Sequence, residues 1–151
     1  MDRVIKLFAT GLGLGYLPKA PGTFGTLLGV PLFWALAGLP LIHYITFLMV
    51  FIVLSSWISD RAQALFGVDD PKTVVIDEVA GFLVAVAGHP FGWKTVLIAF
   101  ALFRVFDIVK PFPVRTIDDR MHNGFGIVLD DVLAGVYANV CLIILSSLRA
   151  L

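Results

Sequence analysis

Charged residues are scarce in this sequence, and their scarcity excludes an ordinary soluble domain. Only 15% of the 151 residues are charged, whereas 59% are apolar. Soluble domains are about 25% charged and about 45–50% apolar. A chain this short has too few polar side chains to cover so much apolar surface in water, and its mean hydropathy is +0.95. We therefore expect a membrane protein with lipid as its main solvent.

Two further absences narrow the class of protein. The formal net charge is zero, so the chain lacks the basic excess that a nucleic-acid partner requires. Cys141 is the single cysteine and lies in an apolar run, which excludes an internal disulfide and leaves it without a neighbouring metal ligand. Because no repeat or composition change divides the chain, we expect a single membrane domain over residues 1–151.

Long apolar runs predict an all-α fold with about four to five membrane-spanning helices, since each crossing needs about 20 mostly apolar residues. The predicted spans are residues 26–39, 41–58, 74–88, 93–109 and 127–148. The polar residues 59–63 and 67–72 predict a loop outside the hydrocarbon. The first ten residues predict a short interfacial helix with Val4, Ile5 and Phe8 facing lipid.

Alternating crossings bring most charged residues to one side of the bilayer, here called side A. If the N-terminus lies on side A, the third span begins there, the fourth ends there and the fifth begins there. Side A then holds five carboxylates, which are Asp77, Glu78, Asp107, Asp130 and Asp131. It also holds nine basic residues, which are Arg3, Lys6, Lys19, Arg61, Lys72, Arg104, Lys110, Arg115 and Arg120. Because only Lys94 and Arg149 fall on the other side, the positive-inside rule makes side A cytoplasmic.

The shared position of these carboxylates predicts a cation site. Ionisable groups at membrane depth cost about 2.5–3.5 kcal/mol each on insertion scales, and clustered carboxylates need cations or partners. Their oxygens suit a hard divalent ion such as Mg²⁺. Two local interpretations stay open. A carboxylate near a helix start can be stabilised by the helix dipole, and Arg104 with Asp107, three residues apart, can form an intrahelical ion pair.

A glycine-rich segment precedes the first predicted span. Residues 11–15 read Gly-Leu-Gly-Leu-Gly, and residues 20–26 lead directly into the span. Glycine lets a ligand approach the backbone closely, Thr23 or Thr26 can cap a helix, and free N–H groups at a helix start attract phosphate. The segment does not match the phosphate loop G-x-x-x-x-G-K-[ST]. Thr23, Gly25 and Thr26 are the candidate substrate-binding residues here.

Four blocks, in order over nearly the whole chain, resemble the phosphatidylglycerophosphatase A family. They are residues 13–26 (GLGYLPKAPGTFGT), 76–81 (IDEVAG), 103–113 (FRVFDIVKPFP) with Asp118, and 124–135 (GFGIVLDDVLAG). The resemblance implies a Mg²⁺-dependent enzyme embedded in the bacterial inner membrane. Such an enzyme hydrolyses phosphatidylglycerophosphate to phosphatidylglycerol and phosphate, here with its active site on the cytoplasmic face.

The cluster of acidic and basic residues suggests a role for each of them in this reaction. One or two Mg²⁺ ions would be held by Asp77, Glu78, Asp107, Asp130 and Asp131, and all of these except Asp130 are expected to be catalytic. Arg104 and Lys110 would neutralise charge on the phosphate, and Arg115 would bind the diester phosphate. Direct attack by water and a covalent aspartyl-phosphate both stay open. The sequence indicates no oligomeric state.

Two other classes of membrane protein also use carboxylates. A CDP-alcohol phosphotransferase should carry D-G-x-x-A-R followed by spaced aspartates, and neither Asp77 nor Asp131 begins that pattern. A cation transporter needs polar groups near the bilayer midplane, whereas the predicted acids lie near one end of each span. Metal flux without phosphate release would favour the transporter.

Overall fold

The fold is built from helices, as predicted. A computed structural model describes residues 1–69, 71–116, 121 and 123–148, and these ranges contain no strand. The elements are α1 (Asp2–Ala9), a short 3₁₀ helix (Leu14–Tyr16), α2 (Pro21–Leu36), α3 (Leu41–Phe66), α4 (Ile76–Ala85), α5 (Trp93–Val109) and α6 (Gly124–Ser147). Asp118, Arg120 and Arg149, which the sequence analysis used, lie outside the described residues.

Helix α2 begins five residues earlier than the first predicted span. Pro21 occupies its first turn, where a proline is tolerated because that N–H has no helical partner. Thr23 and Thr26 therefore lie inside the helix, and the prediction that one of them caps it was wrong. The N-cap is Ala20, with a left-handed backbone (φ 49°). The buried hydroxyl of Thr26 donates to the carbonyl of Gly22 at 2.9 Å.

The other boundaries differ from the prediction to varying degrees. Helix α3 continues to Phe66, so residues 59–63 are helical and their prediction as a loop was wrong. Gly67, with φ 68°, ends α3 in the left-handed conformation that glycine adopts easily. Helix α6 starts at Gly124, three residues early, because the side chain of Asn123 caps it by accepting from the N–H of Gly126 at 2.9 Å. Helix α5 has the predicted bounds.

Two helices, α3 with 26 residues and α6 with 24, are long and apolar enough to cross a membrane. Exposed apolar side chains on α3, such as Met49, Val50 and Val53, suit a lipid environment. The predicted span at 74–88 forms a helix of only ten residues. At 1.5 Å per residue, it covers roughly 15 Å of a hydrocarbon core about 30 Å thick. The predicted crossing there does not exist as one continuous spanning helix.

Helix α4 ends among the other helices, which supply partners for its last carbonyls. It packs against α2, α3, α5 and α6. The side-chain amide of Asn139 on α6 donates to the carbonyls of Val84, Ala85 and Ala87 at 3.2, 3.0 and 2.9 Å. The hydroxyl of Tyr44 on α3 donates to the carbonyl of Leu83 at 2.7 Å. Because carbonyls at a helix end lack helical partners, these bonds allow α4 to stop inside an apolar bundle.

The N-terminal helix is amphipathic, but one of its three predicted lipid-facing residues is buried. Val4 and Phe8 are exposed, whereas Ile5 is buried. Ile5 belongs to a small apolar cluster with Ala62 of α3 and Ile76 of α4. The prediction for Ile5 was wrong because α1 packs on α3 and uses this side chain as its contact. The predicted helix itself is present.

Candidate active site

Three carboxylates from two helices form the centre of the candidate site. Asp77 and Glu78 lie in the first turn of α4, and Asp131 lies near the start of α6. One ligand oxygen from each residue lies within 4.8 Å of the other two. The helices approach closely because Gly81 and Gly135 lack side chains, and a Cβ on Gly135 would overlap the carbonyl oxygen of Gly81. We call Asp77, Glu78 and Asp131 the three-carboxylate group.

Two ion pairs flank the three-carboxylate group. On α5, Arg104 Nη1 lies 2.6 Å from Asp107 Oδ2, so the intrahelical pair left open by the sequence is present. Lys110, just past the end of α5, places its Nζ 2.7 Å from Asp130 Oδ2. Asp131 lies instead with Asp77 and Glu78, since one carboxylate oxygen of each is within 4.8 Å of the others. Neighbouring acids on α6 therefore have different partners, although they look alike in the sequence.

These groups line one pocket with a volume of about 300 Å³. Its walls come from the start of α2, the segment before α4, the first turn of α4, the end of α5 and the start of α6. Five carboxyl side chains and three basic side chains line it, so acidic groups outnumber basic ones by two. The basic residues are Lys72, Arg104 and Lys110. The predicted convergence of acids from three helices is thus present in the structure.

The three-carboxylate group has the donor set of a divalent cation site. Asp77 and Asp131 are only 7% and 4% exposed, and buried like charges are unfavourable unless a cation or proton compensates them. Within the part of the chain that the structure describes, buried Oε2 of Glu78 has no hydrogen-bond partner. Carboxylate oxygens are the ligands that Mg²⁺ prefers. These residues could therefore hold Mg²⁺, whereas Asp107 and Asp130 already contact basic side chains.

Four of the predicted substrate-binding residues do not line the pocket. Thr26 is buried and bonded within its own helix, and Gly25 packs against Val75. Thr23 is half-buried on α2, and Arg115 is exposed beyond the end of α5. Their predicted contact with substrate stays a prediction, without support from this arrangement.

Lys72 and Gly22 line the pocket, but the sequence analysis did not select them as site residues. Lys72 is an exposed side chain in the segment leading to α4. Its position five residues before Asp77 is the sequence feature that could have identified it as a site residue. Gly22 follows Pro21 directly, and this Pro-Gly pair could have marked the helix start that faces the pocket.

A comparison with known protein families shows which of them this chain matches. The family model described as "PgpA: Phosphatidylglycerophosphatase A" matches residues 7–146, which include every residue that lines the pocket. The chain belongs to the phosphatidylglycerophosphatase A family. The resemblance seen in the four sequence blocks is therefore confirmed.

Similar proteins from three bacteria have names of lipid phosphatases. The phosphatidylglycerophosphatase A of Haemophilus influenzae is 42% identical over 89% of this chain and 83% of its own length. The Escherichia coli protein of the same name is 34% identical over 90% of this chain and 80% of its own length. A Bacteroides thetaiotaomicron protein, provisionally named phosphatidylinositol-3-phosphatase, is 39% identical over 87% of each chain. No solved structure matches this chain.

Proposed function

We propose that this protein hydrolyses the phosphomonoester of phosphatidylglycerophosphate, releasing phosphatidylglycerol and inorganic phosphate. One observation carries the proposal. In a member of the phosphatidylglycerophosphatase A family, the three-carboxylate group and three basic side chains line the same pocket. Carboxylates that bind a cation and basic groups that bind phosphate are the parts that phosphoryl transfer requires.

We also propose that Asp77, Glu78 and Asp131 hold Mg²⁺. The proposal is supported by their all-oxygen donor set and by Glu78 Oε2, which has no hydrogen-bond partner among the residues that the structure describes. It is also supported by the pocket lining, in which five carboxyl side chains outnumber three basic ones. When bound, the ion would supply Lewis-acid polarisation of the phosphate. Asp107 and Asp130, first predicted as further ligands, have a different proposed role: they hold Arg104 and Lys110 in place.

The basic side chains bind the substrate phosphate in this proposal. A phosphomonoester carries about −1.5 to −2 charge at pH 7. Arg104 keeps donors beyond its contact with Asp107, because a guanidinium has five N–H groups. Lys72 makes no ion pair with any residue that the structure describes, so its ammonium is available to phosphate. Arg115, exposed outside the pocket, stays a proposal for the diester phosphate.

Hydrolysis requires one proton to move from the attacking water to the leaving alcohol. A water oxygen bonds to phosphorus, the bond from phosphorus to the glycerol oxygen breaks, and the alcohol leaves with a proton. Asp107 pairs with Arg104 and lines the same pocket as Asp131, and it is the carboxylate proposed to hold this proton in transit. Trapping of a phosphorylated aspartate, combined with oxygen-18 exchange, would distinguish a covalent route from direct attack by water.

We propose five crossings of the bacterial inner membrane, with the pocket on the cytoplasmic face. Helices α3 and α6 cross as long helices. Helices α2 and α5, with 16 and 17 residues, cover roughly 24–26 Å at 1.5 Å per residue. The third crossing in this proposal is made inside the bundle by the short α4 together with the segments on either side of it, and Asn139 and Tyr44 bond the last carbonyls of α4. The excess of basic residues at the pocket end supports the cytoplasmic orientation.

Phosphate release from defined lipids tests the proposed activity. Purified protein is given phosphatidylglycerophosphate, phosphatidylinositol 3-phosphate or phosphatidic acid in mixed micelles, with Mg²⁺ or with EDTA. We expect the fastest release from phosphatidylglycerophosphate and loss of release in EDTA. Preference for the inositol lipid would support the activity in the name of the Bacteroides relative instead. Full activity in EDTA would contradict the metal proposal.

Cysteine labelling in whole cells tests the orientation. In a Cys141→Ser background, Asp69→Cys and Arg115→Cys lie at the pocket end, and Lys94→Cys lies at the start of α5. All three positions are exposed. We expect a membrane-impermeant maleimide to label only Lys94→Cys in intact cells. Labelling of the two pocket-end positions instead would reverse the proposed orientation.

A further inference from the structure

We infer that Gly22 is a positioning residue, which holds the carboxylate of Glu78 in the three-carboxylate group. The inference rests on the proposed cation site and adds the element that gives the site its shape. That element is the first turn of α2, which contributes no charged side chain. Its contribution is a backbone surface that Glu78 contacts.

The geometry assigns one glycine to each oxygen of Glu78. A Cβ placed on Gly22 would overlap Glu78 Oε1 and would lie 3.0 Å from Arg104 Nη1. A Cβ on Gly25 would lie 3.3 Å from Glu78 Oε2 and 2.7 Å from the Cβ of Val75. Because residues three apart share one face of a helix, these glycines form a single bare surface against the carboxylate.

Shape rather than hydrogen bonding restrains Glu78 on this side. Its Oε2 is buried and, over the described ranges of the chain, has no hydrogen-bond partner. Gly22 is itself buried, and its carbonyl accepts the hydroxyl of Thr26. The surface is thus part of a packed first turn, and it leaves the Glu78 oxygen available to a cation.

An added methyl group at Gly22 must therefore displace Glu78 or Arg104. Ligand constellations work only when they are held within about 0.5 Å of the productive geometry. A shifted Glu78 would weaken cation binding even in a protein that stays folded. Gly25 differs, since its added Cβ would also meet the side chain and the carbonyl oxygen of Val75. Substitution there should disturb packing whether or not Glu78 is present.

Binding of Mn²⁺, followed by electron paramagnetic resonance, tests the inference without relying on activity. Wild-type protein is compared with Gly22→Ala and with the control Gly38→Ala, where an added Cβ meets nothing within 4 Å. We expect Gly22→Ala to weaken Mn²⁺ binding by about tenfold or more, the range seen when ligand support is lost. Gly38→Ala should bind within about twofold of wild type, because it is remote from the ligands.

A double-mutant cycle in metal-free buffer tests the contact itself. Gly22→Ala should lower the unfolding temperature when Glu78 is present and should change it little in a Glu78→Ala background. Gly25→Ala should lower it in both backgrounds, because its contact with Val75 persists. Equal losses for Gly22→Ala in the two backgrounds would overturn the inference.

The outcomes separate this inference from the proposed function. If wild type releases phosphate and binds Mn²⁺, and Gly22→Ala binds it equally well, the positioning role is wrong and the function stands. If wild type releases no phosphate from any lipid but the binding and unfolding results are as expected, the positioning role stands and the function is wrong. A wild type that binds no Mn²⁺ overturns both the positioning role and the metal proposal.

Discussion

Two pockets of about 300 Å³ each lie at opposite ends of the helices, and they differ in chemistry rather than size. The first, at the starts of α2, α4 and α6, is lined by five carboxylates and three basic residues. The second lies between the end of α2, the start of α3 and the segment after α4, and none of the described residues that line it is a carboxylate, Lys or Arg. Volume alone would not distinguish the candidate active site, whereas the charge of the lining does.

The polar groups near the two pockets also have different roles. At the far end, Tyr44 and Asn139 donate to backbone carbonyls and so complete the hydrogen bonding of α4. His89 lines the second pocket, and burial lowers its pKa, which keeps it neutral at pH 7. At the pocket end, Asp107 and Asp130 pair with basic side chains. The oxygens of the three-carboxylate group stay available to bind a cation. We therefore expect pocket-end substitutions to change catalysis and far-end substitutions to change stability.

The largest effect is expected for Asp131→Asn. This change keeps the shape of the side chain but removes a negative charge from the three-carboxylate group. Phosphate release should fall by about a thousandfold or more, at the upper end of losses for a single electrostatic contact. Unfolding temperature in metal-free buffer should not fall, because one of several buried like charges is removed. The control is Asp2→Asn at an exposed position of α1, and similar activity in both variants would contradict the site.

Arg104→Met should have the next largest effect. It removes the partner of Asp107 and a donor to phosphate, so we expect kcat/KM to fall by about a hundredfold. The matched control is Arg61→Met, since Arg61 lies over the ring of Trp57 on α3 and does not line the pocket. A loss of equal size in both variants would point to general damage rather than a role in the site.

Asn139→Leu tests the far end. The substitution leaves the carbonyls of Val84, Ala85 and Ala87 without their side-chain donor. Buried groups left unpaired cost about 1–3 kcal/mol, so the unfolding temperature in detergent should fall while kcat stays within about twofold, as expected for distant, independent sites. Ser147→Ala is the control, because that hydroxyl donates only within its own helix. A large fall in kcat without loss of stability would contradict the expectation that far-end substitutions affect stability rather than catalysis.

The smallest of these effects is expected for Lys72→Met. An exposed ammonium that contacts the substrate phosphate contributes mainly to binding, so KM should rise by about tenfold, or about 1.4 kcal/mol, with a smaller change in kcat. Lys94→Met, at the start of α5, should leave both constants unchanged. Initial rates measured over a range of lipid concentrations give KM and kcat for each variant. An unchanged KM for Lys72→Met would remove Lys72 from the proposed phosphate site.

Features set by nearby residues could be predicted from the sequence. Helix α5 has its predicted bounds because Gly92 precedes it and Lys110-Pro111 stops it. The convergence of the acids could be predicted because alternating helices bring every second helix end to one side. This argument used only the order of apolar and charged runs, which the sequence shows directly.

Features set by distant partners could not be predicted. The end of α4 at Ala85 depends on Asn139 of α6, 54 positions later, and an apolar run carries no sign of this. Asp130 and Asp131 look equivalent in sequence, but in space Asp130 lies against Lys110 whereas Asp131 belongs to the three-carboxylate group. The prediction of Thr26 as a helix cap was wrong for a local reason, because the early start of α2 puts Thr26 inside the helix, where its hydroxyl donates to the carbonyl of Gly22.

The dependence of phosphate release on free Mg²⁺, in wild type and in Glu78→Gln, tests the central claim most directly. If the three-carboxylate group binds the ion that hydrolysis needs, wild type should show saturable activation by Mg²⁺. Glu78→Gln should then need about tenfold more Mg²⁺ to reach half of its own maximum. Identical Mg²⁺ curves for the two proteins, or undiminished release in EDTA, would contradict the account.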